Sequence, residues 1–470
     1  MDVTMARGAA NSLCASPASV LDALVCSAER VLLSSVPDLP GQRVCVGLSG
    51  GIDSIVLLDV LGLLAPRYHW RLSAIHVDHQ LSPNAGAWAA FCRRVCRVRG
   101  VPLRVVKVRV ARGNSTEAAA RDARYAAYRA CRADVIALAH NQDDQVETLL
   151  LRLLRGAGVK GLAGMPHTRR DGMLRVVRPL LDVPRLQIER YAVRRGLQWV
   201  EDESNTDTRY LRNFLRGDLL PRIAERVPGY RGTLTRAAGH LAEAAALLDE
   251  LAQMDARHCI RDDTIMMEGL HRLSDARAGN LLRHFFARAG IAMPDKRTLD
   301  EALRQALRAK RDARVNIDLG SHALHRFDGA LHLTPRWDAP PSGLKVRWQG
   351  ERTLRIAPLE GALIMPRGKG KGIDQACLLA APVYVRLRQG GERLRPEAGR
   401  PRRRVKDLLQ EHKVPPWVRD RLPFLWSGRH LVWVPGIGVD LRFQARTGAP
   451  SIMPQWLCDS KTMLWHDSKT

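Results

Sequence analysis

The chain has 470 residues, enough for about three domains that each bury a core. Lysine and arginine together number 74 against 48 aspartate and glutamate residues, a formal net charge of +26. This surplus favours a phosphate-rich partner, nucleic acid before membrane, and no run of about 18 apolar residues exists to span a bilayer.

The nine cysteines are scattered and form no CxxC pair, so neither a disulfide framework nor a zinc site is predicted. Cys92 and Cys96 lie four apart on a predicted helix and are expected to pack in a core. The first residues carry no secretory signal pattern, which together with the cysteines predicts a cytoplasmic protein. Residues 1–38 are predicted to form a mobile tail and then a helix over about residues 20–33.

Residues 44–59, VCVGLSGGIDSIVLLD, predict a strand, a tight turn and a helix. Glycines let the backbone approach a ligand, and the N–H groups of a first helical turn have no intrahelical partner, so this turn is predicted to bind phosphate. The Asp53 carboxylate is the candidate ligand for Mg²⁺. The candidate nucleotide-binding residues of the turn are Ser49, Gly50, Gly51, Ile52, Asp53 and Ser54.

No lysine follows Gly51 where a Walker A loop, GxxxxGK[ST], requires one. The sequence therefore excludes a P-loop kinase or GTPase. Instead, SGGIDS resembles the SGGxDS signature of the PP-loop ATP pyrophosphatases, enzymes that cleave ATP to AMP and pyrophosphate. For this hexapeptide alone, a chance glycine-rich turn is the alternative interpretation.

Strand and helix patterns alternate after the turn, which predicts a doubly wound, mainly parallel α/β sheet over residues 39–222. His76 and His79 lie at the end of the strand predicted over residues 71–77, where open sheets bind ligands, and are assigned to the nucleotide pocket. Arg121 and Arg124 lie on adjacent turns of a later helix. A solvated basic face is the alternative for that pair.

His140, Asp144 and Glu147 follow the strand predicted over residues 135–139 at the spacing i, i+4, i+7. One helix face therefore carries an imidazole and two carboxylates. In so basic a protein, this acidic pair is predicted to receive an amine substrate or Mg²⁺. Helix capping is the alternative interpretation.

Residues 156–161 match GxGxxG, but they follow a helix instead of a strand, which excludes a dinucleotide-binding loop. They are predicted to be a glycine loop at a helix end. Arg155 and Gly156 are assigned to phosphate contacts there.

The stretch over residues 199–216 combines an acidic, Asn- and Ser-rich turn with several arginines. Such residues suit contacts with RNA bases and phosphates, and a solvated loop is the alternative. Arg212 and Asn213 are the candidate tRNA-binding residues of this stretch.

Helical patterns over residues 234–258, 276–289 and 298–309, with strands near 315–319 and 331–334, predict a mainly helical domain over residues 223–336. Short strand patterns predict a small basic α+β domain over residues 344–458. Residues 384–430 hold 13 lysines and arginines against 5 acids, which favours RNA binding over a solvated linker. The candidate tRNA-binding residues there are Arg402, Arg403, Arg404, Lys406 and Trp417.

Assembled, these segments resemble the tRNA(Ile)-lysidine synthetases from end to end. The resemblance rests on SGGIDS, HVDHQLS, EAAARDARY and, most specifically, AHNQDDQVETLLLRLLRGAGVKGLAGM. RPLLDVPRLQIERYA, EDESNTDTRYLRN and RRRVKDLLQEHKVPPWVRDRLPFLW also look like family segments. The sequence departs from the family pattern at Asn141, where many members carry histidine.

The resemblance implies a ligase that uses ATP and Mg²⁺. ATP would adenylate the C2 oxygen of the wobble cytidine in CAU-anticodon isoleucine tRNA, and free L-lysine would then displace AMP to give lysidine. Asp53 would bind the metal and Arg121 would stabilise the adenylated intermediate. Asp144 and Glu147 would hold the lysine, with His140 as a candidate proton acceptor. The two later domains would hold the tRNA. The oligomeric state stays open, a homodimer included.

Two other functions compete with this one. A PP-loop tRNA thiolase would need paired cysteines, and the absence of CxxC counts against it. An RNA-binding protein with a dead nucleotide site is the other alternative. The intact set of Asp53, Arg121, Asp144 and Glu147 argues against such decay.

Overall fold

The computed structural model describes residues 17–36, 41–80, 82–109, 116–201, 211–308 and 315–459. The predicted tail before residue 17 and the acidic loop at residues 202–210 lie outside them. The chain divides into two compact units between Leu247 and Leu248. The domain limits expected from the sequence stay predictions.

Six strands form the sheet of the first unit: β1 (Arg43–Gly47), β2 (Arg71–Asp78), β3 (Leu103–Lys107), β4 (Val135–Ala137), β5 (Thr168–Asp171) and β6 (Leu174–Val177). Their order is β3-β2-β1-β4-β6-β5. Neighbouring strands are parallel except for the antiparallel β5–β6 hairpin. The predicted, mainly parallel sheet is therefore confirmed.

Helices cover both faces of this sheet, which confirms the doubly wound fold. Successive strand residues point to opposite faces, so Val44 and Val46 of β1 join one core while Cys45 joins the other. Cys92 and Cys96 are buried in the first of these cores, as expected from the sequence. The helices up to this sheet's end are α1 (Pro17–Ser35), α2 (Ile52–Tyr68), α3 (Ala85–Val98), α4 (Thr116–Arg129), α5 (Gln142–Leu154), α6 (Val159–Leu162) and α7 (Arg185–Arg194).

The strand order reverses between β1 and β4. From β1 the chain proceeds outward to β2 and β3 on one side, whereas β4 and β6 lie on the other. Sheets of this kind bind ligands at the carboxyl edge where the order reverses. The turn after β1 and the start of α5 after β4 therefore meet at the expected binding edge.

A run of helices follows α7 and leads out of the first unit. It comprises α8 (Leu211–Phe214), a π-helical turn (Leu215–Leu219), α9 (Leu220–Arg226) and the 30-residue α10 (Tyr230–Cys259). Leu220 and Tyr230 pack with Val146 of α5 in a small separate core. This packing holds the α8 segment beside the carboxyl edge of the sheet.

The second unit begins with helices α11 (Met267–His271), α12 (Asp275–Arg288) and α13 (Lys296–Arg308). They pack with a five-stranded antiparallel sheet of order β7-β8-β11-β10-β9: β7 (Ile260–Arg261), β8 (Thr264–Met266), β9 (Val315–Asp318), β10 (His322–Phe327) and β11 (Ala330–Pro335). Of these strands, only β9 and β11 were expected from the sequence. Strand β10 carries three basic or imidazole side chains and lacks alternating burial, so its pattern does not signal a strand.

The remainder of the second unit consists of short antiparallel strands around two further cores, which agrees with the predicted α+β domain. Its helices are α14 (Gln375–Leu379), α15 (Val405–Glu411) and α16 (Pro416–Arg419). Its strands are β12 (Lys345–Arg347), β13 (Thr353–Ile356), β14 (Gly361–Ile364), β15 (Arg367–Lys369), β16 (Ile373–Asp374), β17 (Val383–Arg386), β18 (Arg393–Leu394), β19 (Arg403–Arg404), β20 (Phe424–Ser427), β21 (His430–Val434), β22 (Gly438–Val439), β23 (Pro450–Ile452) and β24 (Gln455–Cys458). None of the described helices in either unit is long and apolar enough to cross a membrane.

Candidate active site

The turn after β1 is organised around the Ser54 hydroxyl. Its oxygen accepts hydrogen bonds from the N–H groups of Ser49, at 3.2 Å, and Gly50, at 3.1 Å, and donates one to the Gly51 carbonyl at 2.9 Å. Gly50 has a φ of +94°, a conformation that side chains rarely adopt. Two backbone donors therefore converge on one point, as a phosphate-binding turn requires.

Asp53, in the first turn of α2, is tied to two partners that lie far from it in sequence. Its Oδ1 accepts a hydrogen bond from the Asn141 side-chain amide at 3.1 Å, and its Oδ2 forms an ion pair with Arg185. Burial raises the pKa of Asp53 to about 6, although Arg185 and Asn141 act in the opposite direction.

Asn141 caps α5 and connects it to the turn. Its side-chain oxygen accepts the Asp144 N–H at 3.0 Å, and the Asp144 carboxylate accepts the Asn141 N–H at 3.1 Å. This is a capping box, so helix capping describes one role of Asp144. Because Asn141 also binds Asp53, one residue joins the turn to the acidic helix face, at the position where the sequence departs from the family pattern.

Two arginines of the segment after α7 engage the acidic pair. The Nε atoms of Arg212 and Arg216 lie 2.7 Å and 2.6 Å from the Glu147 carboxylate, and the Nη2 atoms lie 3.1 Å and 3.3 Å from Asp144 Oδ1. The Glu147 side chain is only 1% exposed, so it needs such partners to remain charged. Arg212, predicted to bind tRNA, thus has an intramolecular partner; its RNA contact stays a prediction.

His140 is a neutral ring beside a buried arginine. Arg178 Nε donates to His140 Nδ1 at 3.2 Å. Burial, followed by the positive charges of Arg178, Arg212 and Arg121, lowers the pKa of His140 to about 3. A group with so low a pKa accepts protons poorly near neutral pH, which argues against the proton-acceptor role expected from the sequence.

We expect His140 to make the protein less stable in acid. Because the fold lowers the pKa of His140 from 6.5 to about 3, the unfolded chain binds more protons between these values. Stability then falls as the pH drops below about 6.5. The variant His140→Gln cannot titrate, so on going from about pH 7 to about pH 5 it should lose about 1 to 2 kcal/mol less free energy of unfolding than the wild type. Urea denaturation at both pH values measures this difference, and equal losses would contradict the prediction.

The two histidines assigned to the nucleotide pocket support the same edge of the sheet. His76 Nδ1 donates to the Leu48 carbonyl at 2.8 Å and so braces the start of the turn. His79 Nε2 accepts from Arg124 at 3.3 Å, and burial, with the charge of Arg124, lowers the pKa of His79 to about 4. Arg121 is exposed, with its guanidinium 5.3 Å from the Tyr125 ring centroid. Nucleotide contacts by these residues stay predictions.

The structure does not bring Arg155 and Gly156 to the turn. They follow the last residue of the 13-residue helix α5, about 20 Å by helical rise from Asn141. Arg152 donates to the carbonyls of Gly161, at 2.7 Å, and Gly164, at 2.8 Å. The glycine loop is therefore closed by its own arginine, and a phosphate role for Arg155 and Gly156 is poorly supported.

The candidate tRNA-binding residues of the second unit differ in their exposure and in their contacts with other side chains. Arg402 and Arg403 form ion pairs of 2.6 Å with Asp440 and Glu411. Trp417 is partly buried and stacks on His325 with a centroid distance of 4.3 Å. Arg402, Arg404 and Lys406 are exposed.

Four residues that the structure brings into the site were not among the site residues predicted from the sequence. They are Asn141, Arg178, Arg185 and Arg216. Arg178 is 2% exposed and Arg185 forms an ion pair with Asp53. Both arginines belong to RPLLDVPRLQIERYA, a segment already noted for its resemblance to the family. That resemblance is the sequence feature that could have indicated them as site residues.

A turn with converging N–H donors at the reversal point of a mainly parallel sheet is typical of nucleotide-binding α/β domains. A family model described as a PP-loop domain matches residues 25–223. Two further models, the TilS substrate binding domain and the TilS substrate C-terminal domain, match residues 267–332 and 383–456.

Curated relatives extend this match along most of the chain. The tRNA(Ile)-lysidine synthase of Nitrosomonas europaea is 44% identical over 422 residues, which cover 89% of this chain and 92% of the relative. That of Chromobacterium violaceum is 44% identical over 409 residues, covering 86% and 93%. That of Coxiella burnetii is 36% identical over 406 residues, covering 86% and 90%. The chain belongs to the tRNA(Ile)-lysidine synthase family, tRNA-modifying ligases of the PP-loop superfamily.

Proposed function

We propose that this protein joins the ε-amine of free L-lysine to C2 of the wobble cytidine of CAU-anticodon isoleucine tRNA. ATP first adenylates the C2 oxygen and releases pyrophosphate; the amine then displaces AMP to form lysidine. The observation that carries the proposal is the link from Asp53 through Asn141 to Asp144, with contacts of 3.1 Å and 3.0 Å. It places the phosphate-binding turn next to the acids proposed for the amine, as two successive reactions at one carbon require.

The turn supplies the donors for the first step. The N–H groups of Ser49 and Gly50 now point to the Ser54 hydroxyl, and a phosphate oxygen of ATP would replace it as their acceptor. Arg121, exposed on α4, would then stabilise the negative charge of the adenylated intermediate.

Asp53 is the residue that would hold Mg²⁺. The described part of the chain contains no group of three or more acidic, histidine or cysteine side chains that could hold a metal ion. Mg²⁺ usually binds one or two carboxylates together with substrate phosphates, so the half-buried Asp53 carboxylate beside the turn fits such an ion bound with ATP. The ion would neutralise charge on the departing pyrophosphate.

The acidic pair would serve the second step. The ε-amine of lysine is a cation with an ordinary pKa of about 10.4 and must lose a proton before it attacks. Asp144 and Glu147 would bind the ammonium group and accept that proton. Because both acids are engaged by Arg212 and Arg216, the amine would compete with these arginines for them.

The basic second unit would hold the tRNA body. The net charge of +26 over the whole chain favours RNA phosphates, and Arg404 and Lys406 of the second unit present exposed cations. The wobble base, unstacked in its loop, would then reach the pocket of the first unit. Isoleucine and methionine tRNAs share the CAU anticodon, so discrimination between them would use other parts of the RNA.

Incorporation of radiolabelled lysine tests the proposal. Wild-type protein with ATP and Mg²⁺ should label CAU-anticodon isoleucine tRNA and leave methionine tRNA unlabelled. Asp53→Ala should reduce labelling by more than about a hundredfold, because it removes the carboxylate that neutralises charge at the phosphates. Asp122→Ala, which removes an exposed acid of α4, is the matched control and should label normally. Formation of AMP without label in either tRNA would refute the proposed reaction.

A further inference from the structure

Every carboxylate oxygen of the acidic pair already accepts a hydrogen bond. Asp144 Oδ1 binds both arginines, and its Oδ2 binds the Asn141 N–H. Glu147 Oε1 binds Arg216, and its Oε2 binds both Arg212 and Arg216. Asp144 Oδ2 and Glu147 Oε1 accept one hydrogen bond each and the other two oxygens accept two each, so an incoming ammonium group would compete with the arginines for these carboxylates.

Charge balance favours replacement of one arginine guanidinium by the incoming lysine ammonium group. Two guanidinium groups and two carboxylates form a neutral set around Glu147, which is 1% exposed. Adding a lysine ammonium without releasing an arginine would leave an unbalanced positive charge at a largely buried position. Replacing one guanidinium by one ammonium keeps the set neutral.

Arg216 is better placed than Arg212 to be the group that leaves. Its side chain is 44% exposed, compared with 34% for Arg212, so it loses less contact with the protein on moving away. Arg216 also lies near Asp53, whose pKa its charge lowers. Its guanidinium binds both acids of the pair and acts on the charge of Asp53, which the contacts of Asn141 join to Asp144.

The backbone around Arg216 departs from regular α-helical geometry. Arg216 belongs to the π-helical turn Leu215–Leu219, and single π-helical turns occur frequently at functional sites. Arg212 on α8 would keep its bonds to both acids, at 2.7 Å and 3.1 Å, so the pair would remain positioned after Arg216 has left.

We propose that Arg216 occupies the ammonium position of the substrate in the ligand-free protein and competes with L-lysine for Asp144 and Glu147. This inference rests on the proposed function, since it assigns the acidic pair to lysine. Lysine binding then requires a ligand charge that replaces the guanidinium, so the site discriminates against neutral amines. Arg216 is in this sense a specificity residue, and binding of lysine releases it from the pair.

The test compares lysine affinity in full-length variants. Dissociation constants for L-lysine are measured by calorimetry with a non-hydrolysable ATP analogue, and KM for lysine is measured in the tRNA-labelling assay. Arg216→Gln should tighten lysine binding by about tenfold because the competing cation is gone. Arg216→Lys keeps a competing cation but loses the fork of N–H donors, so it should tighten lysine binding clearly less than Arg216→Gln does. The control Arg222→Gln removes an exposed arginine of α9 and should change neither value.

Three results would count against the inference. If Arg216→Gln leaves lysine affinity unchanged or weakens it while the wild type labels tRNA, then Arg216 does not compete with lysine. If Arg216→Lys tightens lysine binding as much as Arg216→Gln, the competition is not between cations. If the wild type transfers no lysine, the proposed function fails and this inference fails with it. Thermal unfolding of each variant separates these outcomes from misfolding, and we expect Arg216→Gln to fold because Arg212 still binds both acids.

Discussion

Replacing Glu147 with glutamine is expected to abolish lysine transfer and to destabilise the protein. The Glu147 carboxylate is 1% exposed and binds two guanidinium groups, which would be left with Asp144 as their remaining carboxylate partner. Breaking a buried ion pair from one side costs about 3–5 kcal/mol. Because Arg212 and Arg216 are 34% and 44% exposed, we expect a smaller loss of about 2 kcal/mol in the free energy of unfolding.

The catalytic effect of Glu147→Gln should exceed its effect on stability. Loss of the group that orients the amine and accepts its proton is expected to lower kcat/KM for lysine by about 10² to 10⁴-fold. Glu225→Gln, an exposed change on α9, is the control and should keep both properties. Urea denaturation and the labelling assay measure the two quantities. Wild-type transfer by a folded Glu147→Gln protein would show that Glu147 has no part in the reaction.

Gly50→Ala is expected to distort the phosphate-binding turn. The residue has a φ of +94°, and an added Cβ atom would lie 2.9 Å from Val200 Cγ2 and 3.3 Å from Cys92 Sγ. A side chain in such a backbone conformation costs about 1–2 kcal/mol, to which the close contact adds. We therefore expect the free energy of unfolding to fall by about 2 kcal/mol and ATP affinity to fall by more than about tenfold, since the converging N–H groups would shift.

Gly51→Ala separates backbone strain from the general effect of adding a methyl group. Gly51 has a φ of −71°, which any residue adopts, and its added Cβ atom would lie 3.5 Å from Ser49 Oγ, an ordinary contact. We expect its thermal unfolding to match that of the wild type. Equal thermal stability of Gly50→Ala and Gly51→Ala would show that the positive φ at Gly50 does not matter for the fold.

Local patterns account for the parts of the fold that could be predicted. Strand β1, the turn and α2 were expected from one continuous stretch, because apolar periodicity and glycine act between neighbouring residues. The same holds for α5, whose acidic face follows from the spacing of Asp144 and Glu147. Strand β10 of the second unit was missed, since its histidines and arginine do not alternate with buried residues.

The partners of the site residues could not be predicted in this way. Asp53 and Arg185 are 132 residues apart, and Glu147 and Arg216 are 69 apart, so no local spacing connects them. His140 shows a further limit of prediction from the sequence. Its residue type suggests a base, but burial beside Arg178 lowers its pKa to about 3. Such shifts depend on three-dimensional surroundings, which residue type alone does not specify.

The sequence by itself determined the class of fold, the tight turn between β1 and α2 and the family, because these depend on contiguous motifs and their periodicity. The tertiary structure alone decided how the charges of the site are paired. It placed Arg185 on Asp53, Arg212 and Arg216 on the acidic pair, and a neutral His140 beside Arg178. The physical reason is that buried charges are stabilised by whichever opposite charges the fold brings near, and that choice is made by chain topology across the sheet edge.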